Sequence, residues 1–406
     1  MKILLATYWL IPHLGGVWTV MEQMKRKLEQ LGHEVDIFGN SPDGKTFHMP
    51  FTDRVFDKNL VLPLIQSKIN KHTNPVLLRE EWISTYEIDR YCMELAAVYF
   101  GLNQYDVIHT HDIISTYSFS RIKPKHTALV ATLHGSVGQE VKLHLASHQM
   151  DMTTSLIGRY HIAMEHFGAT TAQVTLASSQ WMRNLLVNEY SVPAEKVRVY
   201  QYGYDSDTFF KQLALAKPIH RPTGKKVILF TGRLVHIKGI DYLLDALGVL
   251  KKLRQDWVCW IAGDGAKADA LKKKCWDLGI QHDVEFLGRR DDVAYLLTQS
   301  DIFAQPSIID NQPLSLIEAQ IAGKPAVISN GGGLPEMVVH ENTGLVHNVG
   351  DSQTMAYHLH LLVANDQYRT QMGINAKNWG TLHWSLDTMI ARTVAVYQEF
   401  AAIARM

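Results

Sequence analysis

Two acidic residues eight positions apart, Asp310 and Glu318, are the first candidates for chemistry in this sequence. Pro313 lies between them, and proline is favoured at the first position of a helix. Gly323-Lys324-Pro325 then predicts a helix end before a short apolar strand, Ala326 to Ser329. One acid is therefore predicted to lie just before a helix start and the other inside the helix. If the helix covers that span, the two carboxylates lie about 12 Å apart along its axis. That separation suits a ligand about as long as a nucleotide sugar.

The start of this predicted helix is a second candidate feature. Amide groups at a helix N-terminus lack partners within the helix and suit a phosphate. The spacing alone is equally compatible with a surface helix that carries two solvated acids. Both interpretations therefore stay open from these residues.

Two cations, Arg233 and Lys238, follow the predicted strand Lys226 to Thr231. The next helix is predicted to start near Gly239, where a basic side chain opposes the helix dipole. An anion held between the two cations, such as a diphosphate, would compensate them. The alternative is that both side chains are solvated.

Other strand-end loops carry weaker signals. Gly15-Gly16 lets the backbone approach a phosphate at a helix start, but it lacks the spaced dinucleotide fingerprint. His109 and His111 share one face of a strand, as metal ligands or as packing, without an evident third ligand. His134 ends a strand, where it would contact a substrate or cap the loop. Asp205-Ser206-Asp207 has a metal-type spacing, but its position favours a turn or cap over a metal site.

The length, charge balance and cysteine count of the sequence limit the classes of function. The 406 residues are enough for two or three domains, and 40 basic residues balance 40 acidic ones. This balance gives no argument for a nucleic-acid partner. Three cysteines without metal-type spacing favour a reducing compartment, so we expect a cytoplasmic protein. The apolar start is predicted to be a buried strand rather than a signal peptide, and no stretch is as long as a membrane span.

A strand, glycine loop, helix and strand between Lys2 and Phe38 predict a parallel α/β unit. The same alternation of strands and helices begins again at Lys226. The link before it, from Lys211 to Lys225, has only a weak residue pattern. One long helix is predicted from about Val141 to Phe167. Predicted strands in the first half include Val197 to Tyr202. We predict domains at 1–204 and 205–384 and a final amphipathic helix at 385–406; residues 40–105 are not assigned beyond one helix.

Several runs, in their joint order and spacing, resemble the GT-B fold glycosyltransferases of family 4, which are retaining enzymes that use nucleotide-activated sugars. The matching runs are GGVWTV, DVIHTHD, ATLHG, YGYDSDTF, FTGRLVHIKG, IAGDG, FLGRRDDV, AQPSIIDNQPLSLIEAQIAGKPAVIS, GGGLPEMV and TGLV. The resemblance implies an α/β fold with two Rossmann-like domains facing across a cleft. It also implies that the C-terminal helix crosses back onto the first domain.

The resemblance also implies roles for individual residues. Arg233 and Lys238 would bind the donor diphosphate and offset the charge of the leaving group. Asp310 and His134 would position the transferred sugar, and Glu318 would hold the ribose hydroxyls. Other implied donor contacts are Gly16 near the diphosphate, the amides of Leu314 and Ser315 at the phosphate, and the loop Gly288, Arg289 and Arg290 at the base.

The implied reaction is transfer of a hexose from a nucleoside diphosphate sugar, with UDP-sugars favoured, as a step of carbohydrate biosynthesis. The anomeric configuration would be retained, and neither a metal nor a cofactor would be needed. The alternatives are other sugar-nucleotide chemistry, such as epimerisation or phosphorolysis, and a catalytically silent binding protein. One departure bears on the sugar: the family usually has Glu where this chain has Asp310.

The acceptor is not identified by the sequence. A saccharide, a lipid-linked molecule and a small molecule all remain candidates, because residues 40–105 match no part of the family with certainty. Contact with a membrane surface also stays open. Lys68, Lys71 and the lysines between Lys267 and Lys274 would support it, although a solvated face explains them more simply.

Overall fold

The computed structural model describes residues 1–13, 15–70, 72–213 and 216–405. Lys71 and residues 214 and 215 of the predicted link therefore lie outside the described residues. The chain divides into two compact units. Unit 1 contains residues 1–201 and the chain from Asp387 onward, and unit 2 runs from Tyr202 to Leu386.

Unit 1 is built around an eight-stranded sheet with the order β4-β3-β2-β1-β5-β6-β7-β8. Its strands are β1 (Lys2–Leu10), β2 (Glu34–Asn40), β3 (Thr46–His48), β4 (Val55–Asp57), β5 (Val107–Thr110), β6 (Ala128–Leu133), β7 (Val174–Ala177) and β8 (Val197–Val199). Its helices are α1 (Gly16–Gln30), α2 (Leu62–Lys68), α3 (Glu81–Phe100), α4 (Ile113–Ile122), α5 (Val137–Ser147), α6 (Leu156–Thr170) and α7 (Gln180–Glu189). Six strands are parallel, and β3 and β4 add an antiparallel edge.

Unit 2 contains a six-stranded parallel sheet with the order β11-β10-β9-β12-β13-β14. Its strands are β9 (Lys226–Thr231), β10 (Trp257–Ala262), β11 (Val284–Gly288), β12 (Ile302–Gln305), β13 (Ala326–Ser329) and β14 (Gly344–His347). Its helices are α8 (Ser206–Gln212), α9 (Ile240–Leu253), α10 (Ala268–Asp277), α11 (Val293–Gln299), α12 (Leu314–Ile321), α13 (Ser352–Ala364) and α14 (Asp366–His383). Helices between consecutive parallel strands are the Rossmann-like arrangement, so the predicted fold class of two such units is confirmed.

The final helix, α15 (Leu386–Ala404), belongs to unit 1 for almost its whole length. The Tyr397 hydroxyl lies 2.6 Å from Nδ1 of His109 on β5. Glu399 forms a bidentate ion pair with Arg198 of β8, with both N–O distances 2.7 Å. The predicted return of the final helix to the first unit is therefore confirmed.

Two sequence predictions need correction, and one helix was not predicted. The long helix predicted from Val141 to Phe167 is two helices, α5 and α6, because the Ser155 hydroxyl accepts the Gly158 amide and starts a new helix. The strand predicted to reach Tyr202 ends at Val199. Helix α14, which was not predicted, starts where the Asn365 side chain accepts the Tyr368 amide.

The predicted positions of the two acids, one just before a helix start and the other inside the helix, are confirmed. Helix α12 begins at Leu314, so only Glu318 lies on it, and Asp310 lies in the preceding loop. The separation of 12 Å along a helix axis therefore does not apply. No helix in the described part of the chain is long and apolar enough to cross a bilayer.

The core of unit 2 forms where the apolar face of α9 packs on the sheet. Leu244 is fully buried in this core, together with Trp257 and Cys259 of β10. Leu253, at the end of the same helix, is 60% exposed. The two leucines therefore differ in burial while sharing one helix.

We expect Leu244→Ala to lower the free energy of unfolding of unit 2 by about 2–5 kcal/mol, because it leaves a cavity in a packed core. Urea unfolding followed by tryptophan fluorescence measures this, since Trp257 and Trp260 are buried in β10. Leu253→Ala is the control and should change the free energy of unfolding by less than about 0.5 kcal/mol. Equal effects of the two substitutions would contradict the described packing.

Candidate active site

The loops at the carboxyl ends of the unit 2 strands are joined to one another by backbone hydrogen bonds. Ligands of open parallel sheets bind at this edge. The amide-to-carbonyl bonds are Gly263 to Gly288, Leu234 to Asp264, Ile308 to Ile237 and Gly333 to Asp310, all between 2.8 and 2.9 Å. They join the loops that follow β9, β10, β11, β12 and β13.

The contact between the β9 and β10 loops requires glycine. Gly263 has a φ of 153°, and a Cβ atom there would lie 1.8 Å from the carbonyl oxygen of Gly232. Side chains other than hydrogen rarely adopt this backbone conformation. Glycine at position 263 thus has a packing reason, and it brings the backbones at this edge close together.

Lys238 and Asp310 form an ion pair, with 2.6 Å between Nζ and Oδ2. Only 15% and 13% of their side-chain surfaces are exposed. Lys238 ends a short 3₁₀ turn before α9, and Gly239 caps that helix. The sequence interpretation required an anion to compensate a cation at this helix start, and Asp310 supplies one for Lys238.

Two side chains that the sequence analysis missed also bind Asp310. The Gln305 amide nitrogen and the Ser307 hydroxyl each donate to Oδ2 at 3.0 Å. Gln305 Nε2 also donates to Ser307 Oγ at 2.8 Å. Three donors therefore converge on one carboxylate oxygen, which fixes the orientation of Asp310. Their position between the end of β12 and Asp310 is the signal that could have pointed to them.

The arginines of these loops differ in whether their side chains form hydrogen bonds or ion pairs within the protein. Arg233 and Arg289 are exposed, and neither side chain makes an ion pair or hydrogen bond with another described residue. Arg290 instead donates two bonds to the buried carboxylate of Asp292, at 2.7 and 2.6 Å, and one to the Lys217 carbonyl. The Arg290 guanidinium is thus held by Asp292 and by the Lys217 carbonyl.

Glu318 lies in the middle of α12 and accepts a hydrogen bond of 2.7 Å from the hydroxyl of Tyr204, which the sequence analysis did not identify as a site residue. Burial raises the pKa of Glu318 to about 7, against the lowering effect of the Tyr204 hydrogen bond. The amides of Leu314 and Ser315 are the first two of the helix and have no backbone partner among the described residues. This helix start follows Asp310 by four residues.

In unit 1, Gly16 and His134 both lie at the carboxyl edge of the sheet. Gly16 is the first residue of α1, and His134 follows β6. His134 Nε2 lies 2.9 Å from Nδ1 of His111, whose ring stacks on His109 at 4.5 Å. Burial lowers the pKa of His109 and of His134 to about 3 and that of His111 well below its usual value. All three rings are therefore neutral near pH 7.

The structure gives the weaker metal candidates other roles. His109 bonds to Tyr397 and to the hydroxyl of Thr132, as strand-end packing. The Asp205 carboxylate caps α8 by accepting from Thr208. Over residues 1–13, 15–70, 72–213 and 216–405, no group of three or more His, Cys, Asp or Glu is arranged to hold a metal ion.

Comparisons with known proteins agree with this architecture. The family model described as Glycosyltransferase Family 4 matches residues 14–208, and that described as Glycosyl transferases group 1 matches residues 212–379. An uncharacterized glycosyltransferase of Methanocaldococcus jannaschii is 26% identical over 98% of each chain.

Two solved structures are similar over nearly the whole chain. Sucrose-phosphate synthase of Thermosynechococcus elongatus has a TM-score of 0.75 and 17% identity, covering 99% of each chain. The Anabaena protein HepE in complex with UDP has a TM-score of 0.65 and 19% identity, covering 98% of this chain and all of that one. The first of these family models falls almost entirely on unit 1, and the second falls on unit 2. The fold is that of the structural neighbours. The chain therefore belongs to the GT-B glycosyltransferases of the family 4 type.

Proposed function

We propose that this glycosyltransferase moves a hexose from a nucleoside diphosphate sugar, preferably a UDP-sugar, to a saccharide acceptor, with retention of the anomeric configuration and without a metal ion. The observation that carries the proposal is the pair of cations in the loop between β9 and α9. Arg233 is uncompensated among the described residues, and Lys238 is held in place by Asp310. These cations suit a diphosphate.

The donor diphosphate would bind Arg233 and Lys238 and would take further hydrogen bonds from the amides of Leu314 and Ser315. Oxygens of a phosphate accept well from guanidinium, ammonium and helix-terminal amides. Glu318 would accept hydrogen bonds from the two ribose hydroxyls. The loop from Gly288 to Arg290 would contact the base, with the exposed Arg289 rather than Arg290 supplying a cation.

In the reaction, the bond between the anomeric carbon and the diphosphate oxygen breaks, and a bond from that carbon to the acceptor oxygen forms on the same face. The departing phosphate oxygen takes the proton of the acceptor hydroxyl. Arg233 and Lys238 stabilise the negative charge that develops on the diphosphate, which is the role a metal has in other transferases. No residue of the chain is assigned as a nucleophile.

Two residues would orient the transferred sugar. Oδ2 of Asp310 already accepts three hydrogen bonds, so its Oδ1 is the oxygen that would accept from a sugar hydroxyl. The neutral His134 would hydrogen-bond the sugar or its phosphate without adding charge. Support for UDP comes from the neighbour HepE, which was solved with UDP; we extend that nucleotide to this chain as part of the proposal.

We expect a screen of UDP-, GDP- and ADP-sugars to detect slow release of a nucleoside diphosphate, with the highest rate for one UDP-hexose. The rate should be unchanged after dialysis against EDTA, because the two cations supply the charge that a metal would supply. Magnesium or manganese added back is the control. Release from no donor would contradict the function, and a metal-restored rate would contradict the charge assignment. An epimerised sugar or a free sugar phosphate as product would favour the alternative chemistries.

Lys238→Ala should lower kcat/KM for the donor by roughly 100- to 1000-fold, because it removes charge stabilisation at the leaving group. Steady-state kinetics measure this, and circular dichroism checks that the variant is folded. Lys274→Ala is the matched control, since Lys274 also pairs with an aspartate of unit 2, Asp245, at 2.7 Å. Full activity of Lys238→Ala would show that the diphosphate binds elsewhere.

Asp310→Glu should lower kcat by about tenfold. The longer side chain cannot keep all the hydrogen bonds from Lys238, Gln305 and Ser307, and one hydrogen bond to a charged group contributes about 1.5–3 kcal/mol. The control is Asp351→Glu, which makes the same change at a helix cap of unit 2. Kinetics with several hexose donors measure the effect. An unchanged kcat with every donor would mean that Asp310 does not orient the sugar.

A further inference from the structure

Tyr204 is a buried residue at the start of unit 2 whose position is tightly constrained. Tyr204 is 3% exposed, and its backbone amide donates a hydrogen bond of 2.9 Å to the Trp384 carbonyl. It also pairs with Ser385 in an isolated parallel bridge. The preceding residue is Gly203, where a Cβ atom would lie 2.4 Å from Cα of Leu386. The two chain segments are therefore in direct backbone contact.

The segment that contains Trp384 is also hydrogen-bonded to helix α12. The Trp384 indole donates to Gln320 Oε1 at 2.6 Å, and Gln320 Nε2 donates to the Met337 carbonyl at 2.7 Å. Gln320 lies two residues after Glu318. The distance between the Tyr204 backbone and α12 is thus fixed by contacts that do not involve the Tyr204 hydroxyl. That hydroxyl reaches Glu318 Oε1 from a preset position.

We infer that Tyr204 is a positioning residue that holds the Glu318 carboxylate ready for the ribose hydroxyls of the donor nucleotide. The inference rests on the proposed donor site, in which Glu318 accepts from the ribose. One carboxylate oxygen, Oε1, is oriented by the phenol, which leaves Oε2 and the second lone pair of Oε1 for a diol. A carboxylate accepts at both oxygens only when it is ionised.

The charges around Glu318 indicate how the phenol affects this ionisation. Burial raises the pKa of Glu318 to about 7, and the hydrogen bond from Tyr204 opposes that rise. Burial and the neighbouring Glu318 and Asp205 raise the pKa of Tyr204, so the phenol stays a donor. Lys377 of α14 lies against Gly323 at the far end of α12, and Asp310 is neutralised by Lys238.

Removing the hydroxyl should therefore raise the pKa of Glu318 further and leave more of it protonated at pH 7. A protonated carboxyl group loses an acceptor site and donates instead. Affinity for a ribonucleotide should then fall at neutral pH and return as the pH rises above the new pKa. A nucleotide without ribose hydroxyls should not respond.

The test is nucleotide binding by Tyr204→Phe, measured by calorimetry between pH 6 and 9 with UDP, GDP or ADP, whichever the unaltered protein binds. We expect about tenfold weaker binding at pH 7, the size of one hydrogen bond to a charged group, and a smaller loss at pH 9. The 2′,3′-dideoxy form of the same nucleotide should bind both proteins equally. An equal loss for both nucleotides, or a loss independent of pH, would overturn the positioning role.

Two further variants separate this effect from damage to the fold. Tyr105→Phe is the matched control, since it removes a 2.6 Å bond from a buried tyrosine to a carboxylate, Asp36, in unit 1. It should leave nucleotide binding unchanged. Glu318→Gln keeps an acceptor for Tyr204 and should bind the ribonucleotide weakly without pH dependence. A pH dependence retained in Glu318→Gln would overturn the proposal even if Tyr204→Phe failed to fold.

A failure of the donor site itself gives a different result. If the unaltered protein binds none of the three nucleoside diphosphates, the proposed function is wrong and the role of Tyr204 is overturned with it. If the unaltered protein binds one of them and Tyr204→Phe binds it equally at all pH values, the donor site stands and only the role of Tyr204 is wrong.

Discussion

The hydrogen bonding of backbone groups between the loops at the carboxyl edge of the unit 2 sheet is the constraint on which the candidate site depends. Backbone amide and carbonyl groups are obligatory hydrogen-bonding groups, and here each strand-end loop supplies partners to its neighbour. The close approach of Gly263 to the Gly232 carbonyl is possible only because Gly263 carries no Cβ atom. Loops that are far apart in the chain are thereby held as one surface.

Charge compensation is the second property of this surface. A lysine ammonium with most of its surface removed from water is unfavourable without a partner, and Asp310 supplies one for Lys238. Gln305 and Ser307 then hold the aspartate in one orientation. Arg233 lies on the same β9 loop but is exposed and unpaired among the described residues. One cation is therefore preorganised by the protein, and the other is available to an incoming anion.

In unit 1, burial keeps a group of histidine side chains neutral. The three imidazoles of His109, His111 and His134 pack against one another, and desolvation keeps them neutral. In unit 2 desolvation acts on an acid, raising the pKa of Glu318, while the phenol of Tyr204 partly restores the charged form. The carboxyl edge of unit 1 thus carries three neutral rings, and that of unit 2 carries an ion pair and a hydrogen-bonded carboxyl group.

The sequence alone determined the repeated α/β rhythm, several elements at their observed bounds, such as β9 and β13, and the residue types of the candidate site. These signals are local, because apolar periodicity and helix stops need only neighbouring residues. The three-residue strands β3 and β4 are too short to show such a pattern. Only the tertiary structure decided that Lys238 pairs with Asp310 and that Tyr204 holds Glu318. These contacts join residues 72 and 114 positions apart, and they exist because strand order and segment pairing, which no local pattern encodes, bring those residues together.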